Sequence, residues 1–437
     1  MKVCDNENTS KTMYGGGRVV DHLLTANFII SLVFVLCYAY QFFYLLLGTA
    51  KKSRCRLAKA VPHRYAVMIS ARNEEAVIGN LIESIRRQKY PAGLVSIFVV
   101  ADNCTDRTAA VAAEAGALVF VRQNKAQVGK GYALEFLFEQ VMEQYGESYF
   151  DGYFIFDADN LLDENYISEM NRTFSAGFRI VTSYRNSKNY GANWISSGYA
   201  LWFLREARHL NNARMLLGTS CAVSGTGFLI HRDVINRTGG WKYFLLTEDI
   251  QFTVENILNG ERVGYCHDAV LYDEQPETFS QSWVQRLRWA KGYYQVFRRY
   301  GSRLLRGIWR GSFACVDMAM TIMPAAVLTI VSFLLNTAAL VPTLLLRGDP
   351  LVILFSVLET LRNSYLMLFG IGLVTGITEW KHIHASTLRK IVSFFTFPLF
   401  MLTYIPISIV ALFKKVEWKP IHHRVSVSID HMKQPVK

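Results

Sequence analysis

Tyr153-Phe154-Ile155-Phe156-Asp157-Ala158-Asp159-Asn160 is an aromatic, apolar run that ends abruptly in two carboxylates. Its length and bounds predict a buried strand. Residues i and i+2 of a strand point to one face, so Asp157 and Asp159 are expected to project together from its C-terminal edge, where open α/β sheets bind ligands. Such a pair suits a hard cation: Mg²⁺ and Mn²⁺ take oxygen ligands and commonly bridge one or two carboxylates to substrate phosphates. By chance alone an Asp-x-Asp arises about once in a chain this long, as a solvated turn after a strand. The flanking sequence has to decide.

Working outward, two more loops repeat the pattern. Ser70-Ala71-Arg72-Asn73-Glu74-Glu75 follows the expected strand Tyr65–Ser70, and Asp102-Asn103-Cys104-Thr105-Asp106 follows Ser96–Ala101. Helix capping by Asn73 and by Thr105 or Asp106 explains either loop alone. Three carboxylate-bearing loops at one sheet edge point instead to a shared site. Lys130, between Gly129 and Gly131, offers a cation and flexible backbone to a phosphate, although no P-loop is present. Ser224-Gly225-Thr226-Gly227 packs small residues where backbone must let something approach. Thr247-Glu248-Asp249 puts an acidic pair after an apolar segment; capping of an expected helix Ile250–Leu258 accounts for Thr247 but needs no acidic pair. Gln285, Arg288 and Trp289 share a helical face by their i, i+3, i+4 spacing, which fits either a binding surface or a basic helix on a membrane.

Between about Tyr65 and Gly301, short β-branched runs alternate with helical stretches, the pattern of a soluble α/β domain. The flanks differ. Hydrophobic residues make up 51% of the 437, and Asn27–Leu47 is long and apolar enough for a membrane helix. Residues 1–26 are expected as a flexible tail. The basic run from Lys51 to Arg64 places the following domain, 65–301, in the cytoplasm. Residues 302–413 hold three apolar stretches, Phe313–Leu346, Leu351–Ile377 and Ile391–Phe413, each able to span a bilayer. Three crossings would put the tail 414–437 outside, against the preference of Lys414, Lys415, Lys419 and Arg424, so one stretch is expected to be split, re-entrant or interfacial. The net charge of +12 clusters beside apolar segments, which suits anionic headgroups and diphosphates rather than nucleic acid. Seven scattered cysteines with no C-x-x-C pair imply reduced thiols and no structural zinc.

The ordered set S-A-R-N-E-E, A-D-N-C-T-D, D-A-D, S-G-T-G, T-E-D and Q-x-x-R-W resembles the family 2 glycosyltransferases, specifically the membrane-bound group of cellulose, hyaluronan, chitin and poly-N-acetylglucosamine synthases. The resemblance covers roughly Tyr65 to Tyr294. It implies an α/β GT-A domain inserted between membrane helices, one N-terminal and about three C-terminal, in a multi-pass cell-membrane protein with a cytoplasmic catalytic domain. It implies a UDP-sugar donor, with UDP-N-acetylglucosamine favoured, a glycan or lipid-linked acceptor, Mg²⁺ or Mn²⁺, and accessory secretion or synthase subunits. By residue, Ala71, Glu74 and Asp102 would hold the nucleoside and Asp157 the diphospho-sugar, with Asp159 on the metal. Asp249 would be the base, Glu248 the next candidate, and Trp289 an acceptor platform. Arg288 and Gln285 would face the diphosphate and the acceptor region. Lys130, Ser224 and Gly225 complete the expected substrate site. Ala101-Asp102-Asn103 departs from relatives that carry two adjacent aspartates, and a single preceding helix weakens the case for a processive synthase with its own channel.

An idle nucleotide-sugar sensor or scaffold is the alternative, disfavoured by intact carboxylates at every motif. A transporter is disfavoured because the apolar stretches carry few charges to line a pathway. The orientation is testable because Cys4 and Cys55 flank the first apolar helix. In single-cysteine variants of intact cells, an impermeant maleimide should label Cys4 and miss Cys55, and the reverse pattern would overturn the cytoplasmic placement.

Overall fold

Alternate residues of the first strand enter different cores. In β1 (Tyr65–Ala71), Ala66 and Met68 pack with Leu134, Leu137 and Phe138 of one helix, while Val67 and Ile69 pack with Ile78, Leu81 and Ala112 of two others. A strand covered on both faces has no polar side, which is why it reads as a continuous apolar run. The computed structural model describes residues 5–54, 60–323, 327, 330–332, 334–338, 350–418, 423 and 425–432.

The remaining strands are β2 (Val95–Asp102), β3 (Leu118–Arg122), β4 (Gly152–Asp157), β5 (Leu161–Leu162), β6 (Ile180–Ser187), β7 (Phe228–His231) and β8 (Val263–Asp273). They form one mixed sheet in the order β3-β2-β1-β4-β7-β6-β8-β5. β3, β2, β1 and β4 run parallel; β7 is antiparallel to β4 and to β6, and β8 runs parallel to β6. The register pairs Ala71 with Ala101 and Ser70 with Asp157, so the first, second and fourth strands end at one edge.

The helices in chain order are α1 (Asp5–Ala50), α2 (Ile78–Arg86), α3 (Thr108–Glu114), α4 (Lys130–Tyr145), α5 (Tyr166–Ser175), α6 (Trp194–Arg205), α7 (Asn212–Leu217), α8 (Arg232–Asn236), α9 (Glu248–Leu258), α10 (Phe279–Trp309) and α11 (Phe313–Ile322). Pro350–Thr378, Thr387–Leu402 and Tyr404–Phe413 follow. Residues 5–26, expected as a flexible tail, instead continue α1 without a break. Among the described residues, Leu24–Ala50 and Thr387–Phe413 are the segments found long and apolar enough to cross a membrane. The expected stretch Phe313–Leu346 begins as the ten-residue α11, too short to cross alone; residues 339–349 lie outside the described ones.

The apolar helices are not loosely attached. Asp317 of α11 receives Nε and Nη2 of Arg214 (α7) at 2.7 and 2.8 Å, and the hydroxyls of Tyr40 and Tyr44 (α1) at 2.9 and 3.0 Å. Arg214 and Asp317 are fully buried. The Thr387–Leu402 helix turns Phe394, Phe397 and Phe400 inward and leaves Leu388, Ile391, Phe395 and Leu399 exposed.

The tail also has a place. Val425 N donates to Glu274, Asp430 pairs with Arg87 at 2.8 Å, and Ile429 and Met432 pack on Leu161. The described tail residues therefore lie against the α/β domain. Lys419 and Arg424, on which the charge argument drew, lie outside the described residues.

Asp317→Ala would leave the Arg214 guanidinium buried without its counter-charge, a change that typically costs about 3–5 kcal/mol. Thermal unfolding of the purified full chain should show a large fall in midpoint for Asp317→Ala and a smaller one for Asp317→Asn. An unchanged midpoint for Asp317→Ala would show that the pair does not hold these helices.

Candidate active site

Every residue given a catalytic, substrate or metal role from the sequence borders one cavity of about 580 Å³. At the sheet edge, Ala71 closes β1 and Asp102 closes β2. Asp102 is buried and accepts from Arg122 at 2.6 Å and Asn103 at 3.1 Å, which holds its carboxylate in place. Asn73 does not cap a helix, contrary to the simpler reading. Its φ is +58° and its Oδ1 accepts from Thr105 N at 2.8 Å, so it ties the two loops together, while α2 starts without a side-chain cap. Glu74 is buried and binds His423 Nδ1 at 2.9 Å. Burial pushes Glu74 up to about 7 despite that partner. His423 is itself pushed up to about 10, where Asp159, Glu74 and Glu274 outweigh its burial.

The two aspartates of D-A-D do not behave as the i, i+2 neighbours of one strand. β4 ends at Asp157, and Asp159 lies in the turn beyond it. Asp157 pairs with Lys130, while Asp159 is buried and accepts from Glu274 N at 2.8 Å. A turn that lets residue 159 reach the end of β8 separates their hydrogen-bond partners, yet both still face the cavity. Lys130 is the first residue of α4, and it also donates to Gly225 O at 2.7 Å. Burial opposes its charge, but Asp157, Glu248 and Asp249 hold its pKa above the usual lysine value. Gly225, at φ +75°, turns its carbonyl to that ammonium. Ser224 donates to Glu206 and its carbonyl accepts from Arg185 at 2.9 Å.

On the opposite wall, Glu248 and Asp249 open α9, where the unpaired N–H groups of the first turn favour negative charge. Burial raises the pKa of both carboxyls, and their mutual repulsion adds to it for Glu248; Lys130 and Arg288 pull them back. Thr247 stands at the N-cap position, but its hydroxyl makes no capping bond. It packs instead against Gly292 of α10, where a Cβ would come within 2.5 Å of it. That close approach carries the Q-x-x-R-W face to the acidic pair. Arg288 reaches Leu246 O, and Trp289 stands edge-on to Tyr199 and Phe203. Gln285 Oε1 is buried with no hydrogen-bond partner among the described residues, an acceptor available to a bound hydroxyl. Arg286, between them, is structural: it is buried and donates to Phe400 O and Thr403.

Sequence reading missed several groups. Arg185 pairs with Asp273 and lies over the Phe203 ring at 3.7 Å. Glu206 borders the cavity from a π-helical turn, Glu206–Asn211, a distortion frequent at functional sites. His423 and Trp418 arrive from the tail. None of these lies in a compact motif, and only the carboxylate Asp273, after the apolar run of β8, carried the signal used for the other loops.

Among the described residues no three His, Cys, Asp or Glu side chains are grouped to hold a metal ion. Asp157, half-buried, and Asp159, buried, nevertheless offer hard oxygen donors at the cavity. That set suits Mg²⁺ or Mn²⁺ when phosphate oxygens complete the shell. Anion-neutralising cations, buried carboxylates with raised pKa and an indole wall equip the cavity for displacement at a phosphorylated carbon by a hydroxyl.

Comparison with known proteins agrees. The chain is 27% identical over 350 residues to a beta-monoglucosyldiacylglycerol synthase of Synechocystis sp., covering 76% of this chain and 69% of that protein. It is 24% identical over 244 residues to the poly-beta-1,6-N-acetyl-D-glucosamine synthase of Staphylococcus aureus, covering 53% of this chain and 55% of that one. The chain thus spans just over half the length of the second relative. Among solved structures, a mannosyltransferase of Pyrobaculum calidifontis in complex with GDP-Man and Mn²⁺ superposes with a TM-score of 0.57 at 14% identity, covering 90% of this chain and 99% of that one, which shows a shared fold. The sequence profile of glycosyltransferase-like family 2 matches residues 62–292. With over half its length matched, the chain belongs to glycosyltransferase family 2 and is a GT-A-like enzyme that uses a nucleotide-sugar donor.

Proposed function

We propose that the chain is an inverting, membrane-embedded glycosyltransferase. It moves a sugar from a UDP-sugar, UDP-N-acetylglucosamine first among them, to a hydroxyl of a glycan or lipid-linked acceptor, in the synthesis of cell-surface polysaccharide. The observation that carries this reading is the pair Glu248–Asp249, raised in pKa and facing Lys130 and Asp157 across one cavity. Both relatives named above carry a β linkage in their product names, which supports a β-linked product here.

In this reading Asp249 accepts the proton of the acceptor hydroxyl, and the oxygen attacks the anomeric carbon from the face opposite the diphosphate. A single displacement turns an α-linked donor into a β-linked product through an oxocarbenium-like transition state. Asp159, with Asp157 beside it, would hold Mg²⁺ or Mn²⁺, which when bound offsets the charge of the diphosphate leaving group. Lys130 and Arg288 add fixed positive charge, and Ala71, Glu74 and Asp102 form the nucleoside end. Trp289 offers an apolar face to the acceptor.

The catalytic domain is cytoplasmic in this proposal, and α1 crosses the bilayer. Trp289 and the tail residue His423 both sit on the catalytic domain, so the chain between them crosses the membrane an even number of times. The two-faced Thr387–Leu402 helix is the segment suited to lie in the interface, with Phe394, Phe397 and Phe400 toward the protein and the exposed Leu388, Ile391, Phe395 and Leu399 toward lipid.

Asp249→Asn keeps size but cannot accept a proton, so transfer should fall ~10²–10⁴-fold while metal-dependent UDP binding persists. Asp159→Asn should lose that binding, measured by calorimetry with Mg²⁺ or Mn²⁺; exchanged outcomes would exchange the two assignments. A base must be deprotonated to work. Since burial lifts the pair, kcat/KM should fall on acidification at a pH above the ordinary carboxylate value of about 4. An acid limb at or below that value would exclude the pair. Trp289→Ala should raise the acceptor KM with UDP affinity unchanged, and an unaltered acceptor dependence would end the platform role.

A further inference from the structure

The catalytic cavity does not end at the α/β domain. It continues without a break between the apolar helices, where Phe42 and Leu45 of α1, Met367 and Ile371 of the Pro350–Thr378 helix, and Met401 and Ile405 line it. A polar step, Arg205 with Gln41, borders the same cavity. Arg205 donates to Gln41 at 2.6 Å and rests 5.0 Å from the centre of the Trp202 ring, with no carboxylate in salt-bridge range among the described residues. The helix surfaces around the cleft carry Phe28, Leu36, Phe43 and Leu46 exposed, an apolar exterior continuous with an apolar interior.

From this continuity we infer that the acceptor is an amphipathic membrane lipid bearing a free hydroxyl. Its acyl chains occupy the cleft between α1 and the C-terminal helices, and its hydroxyl reaches Asp249 past the Arg205–Gln41 step. The inference rests on the transferase reading above and narrows its acceptor to one class. A growing glycan threaded through the same cleft would find few hydrogen-bond partners, with Tyr38, Ser364 and Ser408 scattered among methionine, leucine, isoleucine and phenylalanine side chains, whereas an acyl chain is stabilised there by removal from water. The unbranched, flexible Met367 and Met401 suit chains of variable shape. Atoms balance as in any displacement: the lipid oxygen forms the new C–O bond, the anomeric carbon–phosphate bond breaks, the proton passes to Asp249, and the electron pair leaves on UDP.

The test uses the full chain in phosphatidylcholine nanodiscs with a panel of UDP-sugars and two acceptor sets, 1-monoacylglycerols of increasing chain length and water-soluble oligosaccharides. UDP release reports donor cleavage, and mass spectrometry reports the product. For the monoacylglycerols, kcat/KM should rise at least ten-fold from short to long chains. Met367→Trp and Met401→Trp, each filling the cleft, should flatten that dependence while UDP binding shows that the variants fold. Acceleration by soluble oligosaccharides alone, or rates independent of chain length, would overturn the lipid acceptor and leave the transferase standing. Absence of UDP release from every donor would overturn the transferase reading and the inference with it.

Discussion

The bidentate pair between Arg214 and Asp317 is the constraint on which the architecture turns. Neither partner can be left alone in a site with no solvent, so the pair is satisfied only when α7, α11 and α1 meet at one point, with the Tyr40 and Tyr44 hydroxyls completing the carboxylate. Burying two charges gains little net stability compared with an apolar contact of the same size. It gains direction, because a fork of two N–H groups onto two oxygens allows one orientation of the helices. A rigid seat for α1 beside the α/β domain is what lets a single cavity have a polar wall from one and an apolar wall from the other.

Within the domain, positioning follows from parallel register. Ser70 opposite Asp157 and Ala71 opposite Ala101 bring the first three carboxylate loops to the same level, and α4 presents Lys130 to them at its first residue. The acidic pair of α9 faces them from the other side, close to α10 because residue 292 is a glycine where any side chain would strike Thr247. Charge is balanced across the gap rather than within each wall: Lys130 and Arg288 moderate Glu248 and Asp249, which burial would otherwise lift further.

The tail illustrates how a site is assembled from distant segments. His423 meets Glu74 and Trp418 borders the same space, with Arg72 lying 5.5 Å from the indole centre. A histidine beside three acidic groups has its pKa raised well above its ordinary range, so the last part of the chain contributes positive charge to the end of the cavity where Glu74 stands.

Several features were legible in the linear chain because their physics is local. Short continuous apolar runs define strands buried on both faces, carboxylates after those runs gather at one sheet edge, and i, i+3, i+4 spacing puts Gln285, Arg288 and Trp289 on one face whatever that face meets. The apolar length of α1 is local too, although its extension back to Asp5 was hidden by a Gly-rich composition that argued for a loop. What folding alone decided are relations between distant residues. Asp159 leaves the strand and turns to Glu274; Thr247 packs on a glycine instead of capping; Arg185 finds Asp273, and His423 finds Glu74. Each depends on a partner many residues away, selected by burial and charge compensation, and no periodicity or short motif encodes such a partner.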